Sequence, residues 1–91
     1  MSSKKKAIRQ RILESAQIPE HLSRGAVLLQ ITGREEVYIK NFRGILEYTD
    51  CGILILGKQG RILIEGRYLQ IPFYTSEEMK ITGQIDQIRY L

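Results

Sequence analysis

The chain is poor in side chains that hold metals or act as nucleophiles, with one cysteine and one histidine among 91 residues. The single cysteine, Cys51, excludes an intramolecular disulfide and a site built from several thiolates, and it favours a reducing compartment. His21 stands beside Glu20, with no second ligand at the spacing of a metal site. We therefore expect neither a bound metal nor a cofactor.

Long apolar runs are also missing. No segment approaches the roughly 20 apolar residues that a membrane-spanning helix needs. The lysines near the N-terminus lead into a mixed polar segment and not into the apolar core of a signal peptide. We expect a cytoplasmic protein that is soluble or at most attached to a membrane surface.

The sequence contains no recognisable catalytic motif. Gly57-Lys58-Gln59-Gly60 places a lysine between glycines but lacks the full spacing and the Lys-Ser/Thr ending of a phosphate-binding loop. The carboxylate pairs Glu35-Glu36 and Glu77-Glu78 lie in predicted turns or strand starts, where neighbouring side chains point to opposite sides. These patterns predict solvated residues and no enzyme.

Cys51 is the remaining candidate nucleophile, and its sequence neighbours argue against that role. The Asp50 carboxylate beside it raises the pKa of the thiol, whereas a reactive cysteine needs a lowered pKa. No histidine lies near it in sequence, and His21 could reach it only through folding. An enzyme that uses Cys51 and His21 is therefore the less favoured alternative function.

Positive charge is concentrated at the N-terminus. Residues 1–18 hold five basic residues and one acidic residue, a net charge of +4, while the remaining 73 residues are neutral overall. Apolar residues from Ile8 to Ala16 fall on one side of a helix that Pro19 would end. The sequence predicts a short basic amphipathic helix over residues 1–18, which we call the basic arm, and a linker over residues 19–25. The basic residues of the arm are Lys4, Lys5, Lys6, Arg9 and Arg11.

The basic arm suits an anionic membrane surface or an acidic patch on a protein partner. Its apolar residues could instead dock on the rest of the chain and leave a solvated terminus. Nucleic acid is a third alternative, but the neutral remainder lacks a basic stripe with interleaved aromatic residues, which argues against it. We expect the arm to contact a membrane or a partner.

Residues 26–91 have the rhythm of an all-β domain. Turn signals recur about every 8 to 10 residues, which leaves no room for helical crossovers between parallel strands. The clearest pattern is a hairpin over residues 52–66, with its turn at Gly57 to Gly60. Ile53 to Leu56 is apolar at four successive positions, so we expect both faces of that strand to be covered.

We predict an antiparallel β-meander of about seven or eight short strands. These strands could form an open sheet, a partly closed barrel or a small β-solenoid. Pro72 cannot donate a ladder hydrogen bond, so Tyr68 to Tyr74 should be an edge or bulged strand. A second bulge is expected near Asp86-Gln87, because Ile85 is out of phase with Ile88.

A short triplet recurs along the chain. Ile-Thr-Gly occurs at residues 31–33 and again at residues 81–83, and Ile64-Glu65-Gly66 is similar. We interpret the triplet as a device that ends a strand.

Three tyrosines mark a candidate interaction surface. Tyr68 and Tyr74 delimit the predicted edge strand, and Tyr90 lies near the end of the last strand. A tyrosine ring with a solvated hydroxyl suits a protein-binding patch, and an exposed sheet edge can pair with another chain. We expect these residues to bind a protein partner or to form a homo-oligomer through sheet edges.

Several of these strand and turn segments together resemble the YabP/YqfC family of sporulation proteins. The resemblance covers nearly the whole chain, from the basic helix and its proline-bounded end to the last strand. Its motifs are, in chain order, Ile31-Thr32-Gly33, Val37-Tyr38-Ile39-Lys40-Asn41, Arg43-Gly44-Ile45-Leu46-Glu47-Tyr48-Thr49-Asp50, Gly60-Arg61-Ile62-Leu63-Ile64-Glu65-Gly66, Ile81-Thr82-Gly83 and Ile88-Arg89-Tyr90.

The resemblance implies a small non-enzymatic protein of endospore-forming bacteria that is made in the mother cell. It implies a structural or adaptor role in forespore development or spore-envelope assembly. It also implies a link to a membrane sporulation protein, YqfD, and therefore a place near the forespore membrane. The family offers no catalytic residues to carry over to this chain.

Overall fold

A computed structural model describes residues 25–91, and all regular structure in this range is β-strand. The six strands are β1 (Leu28–Thr32), β2 (Glu36–Lys40), β3 (Gly44–Tyr48), β4 (Gly52–Leu56), β5 (Arg61–Tyr74) and β6 (Glu78–Tyr90). The predicted helix over residues 1–18 and the predicted linker up to residue 24 lie outside the described residues. From residue 25 onward no helix could cross a membrane.

The strands form one antiparallel sheet in the order β1-β2-β6-β5-β4-β3. Strands β3 to β6 are neighbours in chain order, as in the predicted meander, but β2 pairs with β6 and not with β3. The sheet has two separate end strands, β1 and β3, so it is open. Of the three predicted arrangements, the open sheet is therefore confirmed, and the predictions of a barrel and of a solenoid are wrong.

Six strands replace the predicted seven or eight, because β5 and β6 are 14 and 13 residues long and continue through expected strand ends. Gly66 and Gly83 lie inside these two strands. The interpretation of the recurring triplet as a strand-ending device is therefore wrong at residues 64–66 and 81–83, and it is correct only at residues 31–33, where β1 ends.

Gly66 and Gly83 allow the two long strands to approach each other closely. A Cβ atom on residue 66 would overlap the carbonyl oxygen of Gln84, and one on residue 83 would lie 2.7 Å from the carbonyl oxygen of Tyr68. Gly83 also has a φ angle of 139°, which side chains of L-residues rarely allow. Glycine inside a strand here marks a close backbone approach and not a chain reversal.

The sheet consists of two halves of similar build. The first half contains β1, β2, residues 78–82 of β6 and residues 70–74 of β5. The second half contains β3, β4, residues 61–65 of β5 and residues 87–90 of β6. Exchanging the halves replaces β1, β2 and β6 by β3, β4 and β5, and the strand order then reads the same from the opposite end of the sheet. An approximate two-fold axis therefore runs between β5 and β6.

Residue pairing confirms the relation between the halves. The pair Val37–Ile81 in the first half corresponds to Ile53–Ile64 in the second half. The turns also correspond, because the Asn41 amide donates to the carbonyl oxygen of Glu77 as the Gly57 amide donates to that of Gly60. A position in one half therefore has an identifiable equivalent in the other.

The core lies on one face of the sheet and draws on both halves. Its buried apolar side chains form one cluster, against which Leu29, Ile45, Ile71 and Ile88 pack at equivalent positions of the two halves. We call the opposite side the outer face. The buried residues are Val37, Ile39, Phe42, Ile53, Ile55, Ile62, Ile64, Leu69, Met79, Ile81 and Ile85.

Strand β4 corrects one expectation about burial. Ile53 and Ile55 are fully buried, but Leu54 is only partly buried and Leu56 is 37% exposed. The run of four apolar residues therefore does not indicate coverage of both faces. Only one face of the sheet contacts the core, and Leu54 and Leu56 lie on the outer face.

Both predicted bulges are confirmed. The register of β5 and β6 shifts between Gln70 and Phe73, around Pro72. It shifts again where Glu65 pairs with Gln87 and Gly66 pairs with Ile85, which leaves Asp86 as the extra residue.

Asn41 and Phe42 carry the chain from the first half to the second. Asn41 has a φ angle of 65°, and its side-chain amide donates to the carbonyl oxygen of Ala26 at 3.2 Å. Phe42 is buried in the core, and the Arg43 amide then donates to the carbonyl oxygen of Leu56 at 2.7 Å. This path explains why β3 pairs with β4 and leaves β2 free to pair with β6.

Candidate interaction surface

Reactive side chains do not converge in the part of the chain that the structure describes. No three His, Cys, Asp or Glu side chains in residues 25–91 lie close enough to hold a metal ion. Cys51 is exposed, and the hydrogen bond from its thiol to the Asp50 carboxylate at 3.4 Å raises the pKa of Cys51. A thiol with a raised pKa is mostly protonated near neutral pH and is a poor nucleophile. His21 lies outside the described residues.

The three candidate tyrosines lie in different parts of the sheet. Tyr68 is 76% exposed between the two halves and has a φ angle of 56°. Tyr74 and Tyr90 are equivalent, because they pair with the core residues Met79 and Ile62. The five basic residues predicted for the arm lie outside residues 25–91. The sequence grouped Tyr68, Tyr74 and Tyr90 by strand position, and the structure distributes them over both halves.

Each half has a free edge formed by the end of a long strand. Residues 70–74 of β5 pair with β6 on one side, and no other strand among residues 25–91 pairs with them. Residues 87–90 of β6 are in the same situation, because β2 pairs only with residues 78–82. An unpaired edge exposes amide and carbonyl groups that another strand can use.

A pocket of about 280 Å³ opens at the end of the free edge of the second half. Ile62, Tyr90, Leu91 and Val27 contribute apolar lining. The β4–β5 turn with Lys58 contributes most of the remaining wall, and Ala26 and Arg61 complete it. The pocket volume is just below the usual range for ligand sites, about 300 to 1,000 Å³, so a side chain from a protein partner suits it better than a large cofactor.

The first half closes the equivalent position. Asn41 and Gly57 donate corresponding main-chain hydrogen bonds in the two turns. The residues that follow them, Phe42 and Lys58, therefore occupy equivalent positions in the two halves. Phe42 is buried and lies against the Tyr74 ring at a centroid distance of 5.6 Å. Tyr90 is 81% exposed instead. The second half therefore has a pocket where the first half has an aromatic plug.

The two free edges also differ in their capacity for hydrogen bonding. Pro72 lies in the free edge of the first half, where it removes an amide donor and coincides with a register shift. Residues 87–90 contain no proline. The second half thus combines an edge able to accept a strand with an adjoining pocket.

Comparison with known proteins identifies the group to which this chain is related. Residues 24–91 match the sequence profile of the YabP family. The chain belongs to the YabP family. It is also 28% identical over 91 residues to the uncharacterized protein YqfC of Bacillus subtilis (strain 168), covering all of this chain and 98% of that protein.

The family match confirms the resemblance to the YabP/YqfC family, a sporulation-associated family. No solved structure matches this chain. The matched range of the YabP family begins just before the described residues, so it includes every strand of the sheet.

Sequence reasoning missed the pocket of this YabP-family protein. Its lining comes from three separate segments, around Val27, around Lys58 and around Tyr90. The available signal was the similarity between residues 64–66 and 81–83, which reflects the two related halves. Once the halves are aligned, Phe42 and Lys58 emerge as the informative difference.

Proposed function

We propose that this protein is a non-enzymatic structural or adaptor component of endospore formation that binds a protein partner at the free edge of its second half. The observation that carries the proposal is the open pocket beside residues 87–90, whose edge away from β5 pairs with no other strand among residues 25–91. A partner segment would add a strand along this edge through main-chain hydrogen bonds and insert a side chain between Tyr90 and Ile62. Strand addition of this kind derives affinity from the backbone and specificity from the pocket.

The proposed partner is a membrane sporulation protein such as YqfD, and the proposed location is the mother-cell side of the forespore membrane. Membership of a sporulation-associated family supports a role in endospore formation. The net charge of +4 in residues 1–18 supports contact with an anionic membrane, because each basic residue near such a surface contributes about 1 kcal/mol.

A photo-crosslinking amino acid tests the edge and the pocket directly. Placed at Tyr90 in sporulating cells, it is expected to capture one predominant protein, whereas at Tyr38, on the outer face of the first half, it is not. Lys58→Phe introduces the residue found at the equivalent position of the first half. It should fill the pocket and reduce capture about ten-fold or more, the size of effect typical of an interface hot spot.

Lys80→Phe is the matched control, since it makes the same change on the outer face of the first half. It should leave capture at position 90 unchanged. Equal capture at positions 38 and 90, or capture that survives Lys58→Phe, would contradict the proposal. Capture of a second copy of this chain would point to a homo-oligomer formed through sheet edges, and capture within residues 1–24 would show that the chain occupies its own pocket.

Replacing the five basic residues of the arm by glutamine tests its proposed membrane contact. The intact chain should bind vesicles that contain about 30% anionic lipid, and binding should weaken as salt rises because exposed charges are screened within about 10 Å at 0.1 M. The substituted chain should lose most of this binding in a co-sedimentation assay. Binding that is independent of salt, or equal for both chains, would remove the arm from the proposal.

A further inference from the structure

The outer faces of the two halves carry different chemistry at equivalent positions. In the first half, Lys40 contacts Glu78 at 3.4 Å and Lys80 contacts Glu36 at 3.6 Å across the pair β2–β6. The Tyr38 hydroxyl bonds to the Glu78 carboxylate, which raises the pKa of Tyr38. On this face the charged side chains, which we call the charged ladder, form ion pairs and hydrogen bonds with one another, and such a polar surface is stable in contact with solvent.

The second half has leucines at three of these positions. The pairs Lys40–Glu78 and Tyr38–Lys80 correspond to Leu56–Arg61 and Leu54–Leu63. Leu54, Leu56 and Leu63 therefore replace Tyr38, Lys40 and Lys80. Leu46, 49% exposed at the bulge of β3, adds a further apolar side chain to this half. Apolar residues grouped on a sheet face of a small domain indicate a contact surface.

Charges flank the leucines in a specific order. One row of paired residues crosses the four strands of the second half as Glu47, Leu54, Leu63 and Arg89. Neighbouring strands are about 4.8 Å apart, so the acidic and basic ends of this row are separated by about 14 Å. Arg89 contacts Glu65 through its Nε atom at 3.0 Å, and a guanidinium has further N–H donors for a second carboxylate.

This order is complementary to itself. If a second copy is rotated by 180° about an axis parallel to the strands, its row lies above the first in reverse order. Leu54 then meets Leu63 of the second copy, and Glu47 meets Arg89 of the second copy. The charged ends thus pair while the leucines are covered, as a two-fold symmetric interface requires.

We propose that the outer face of the second half is a self-association surface, on which the Leu54–Leu63 row packs against the same row of a second copy. This surface lies on the face opposite the core, and Arg89 is the one member of its row that also belongs to the partner-binding edge at residues 87–90 proposed above. Four strands of five residues cover roughly 300 Å² of flat area, which is small for a stable interface. The dimer should therefore be weak, with a dissociation constant of about 10 to 100 μM.

Sedimentation equilibrium of the full chain, from about 5 to 500 μM, tests this surface, because that range brackets the expected dissociation constant. A monomer–dimer equilibrium is expected. Leu63→Lys, which introduces the residue of the equivalent position Lys80, should raise the dissociation constant about ten-fold or more. Lys80→Ala, on the charged ladder of the first half, is the matched control and should leave the dimer unchanged.

A charge swap tests the proposed geometry even if Leu63→Lys perturbs folding. Glu47→Arg and Arg89→Glu should each weaken the dimer about three-fold or more, and the double variant should restore it to within about two-fold of the original. A chain that stays monomeric at every concentration, or a double variant no better than the single variants, overturns the proposal. Loss of the dimer in Lys58→Phe would also overturn it, because that residue belongs to the pocket beside the edge.

Discussion

Gly66→Ala is expected to destabilise the fold by about 3 kcal/mol or more, the upper range for overpacking. A Cβ atom at this position would overlap the carbonyl oxygen of Gln84 and lie 3.0 Å from the carbonyl carbon of Gln84 and 3.1 Å from the Cα atom of Ile85. These neighbours are backbone atoms of β6, so no side chain can move aside to make room. β5 and β6 would have to move apart at this point of close approach. Urea unfolding followed by tyrosine fluorescence measures the effect.

Gly44→Ala is the control for this prediction. A Cβ atom on residue 44, at the start of β3, would meet no heavy atom within 4 Å. Its free energy of unfolding should therefore stay within about 0.5 kcal/mol of the unmodified chain. Equal effects at residues 44 and 66 would show that the close approach of β5 and β6 does not stabilise the fold.

Ile64→Ala should destabilise the fold by about 3 kcal/mol, within the range for truncating a buried isoleucine. Ile64 has no exposed surface and pairs with Ile53 of β4 on one side and with Ile88 of β6 on the other. Truncation leaves a cavity between three strands that the surrounding backbone cannot fill. The midpoint of urea unfolding should fall accordingly, without a change in slope.

Ile31→Ala and Ile64→Leu are the controls for this second prediction. The first truncates an exposed isoleucine, and the second keeps the side-chain volume at position 64. Ile31 is 54% exposed on the end strand β1, so its truncation should cost about 1 kcal/mol or less. Ile64→Leu keeps the volume and should cost less than about 1.5 kcal/mol. A loss in Ile64→Ala no larger than in Ile31→Ala would refute the assignment of Ile64 to the core.

Local patterns in the sequence predicted much of the sheet. The hairpin over residues 52–66 forms because apolar alternation and a glycine-bounded turn are both short-range signals. The bulge at Pro72 follows from a missing amide donor, and the bulge at Asp86 follows from a phase change in the apolar pattern. Each of these features depends on residues that are neighbours in the chain, which is why sequence reasoning reached them.

The length of β5 and β6 could not be predicted in the same way. Glycine signals a turn in most strand-rich sequences, and only the proximity of Gln84 explains why residue 66 must be glycine inside a strand. The pocket was missed for the same reason, because Val27, Lys58 and Tyr90 come together only through folding.

The amino-acid sequence by itself determined the β class of residues 26–91, the hairpin over residues 52–66 and membership of the YabP family, since these depend on local alternation and on motifs read along the chain. Tertiary structure alone decided that β2 pairs with β6, that two related halves share one core, and that Lys58 stands where the first half has Phe42. Those features join residues that are far apart in sequence, and pairing between distant strands is set by the packing of the whole sheet and not by any single segment.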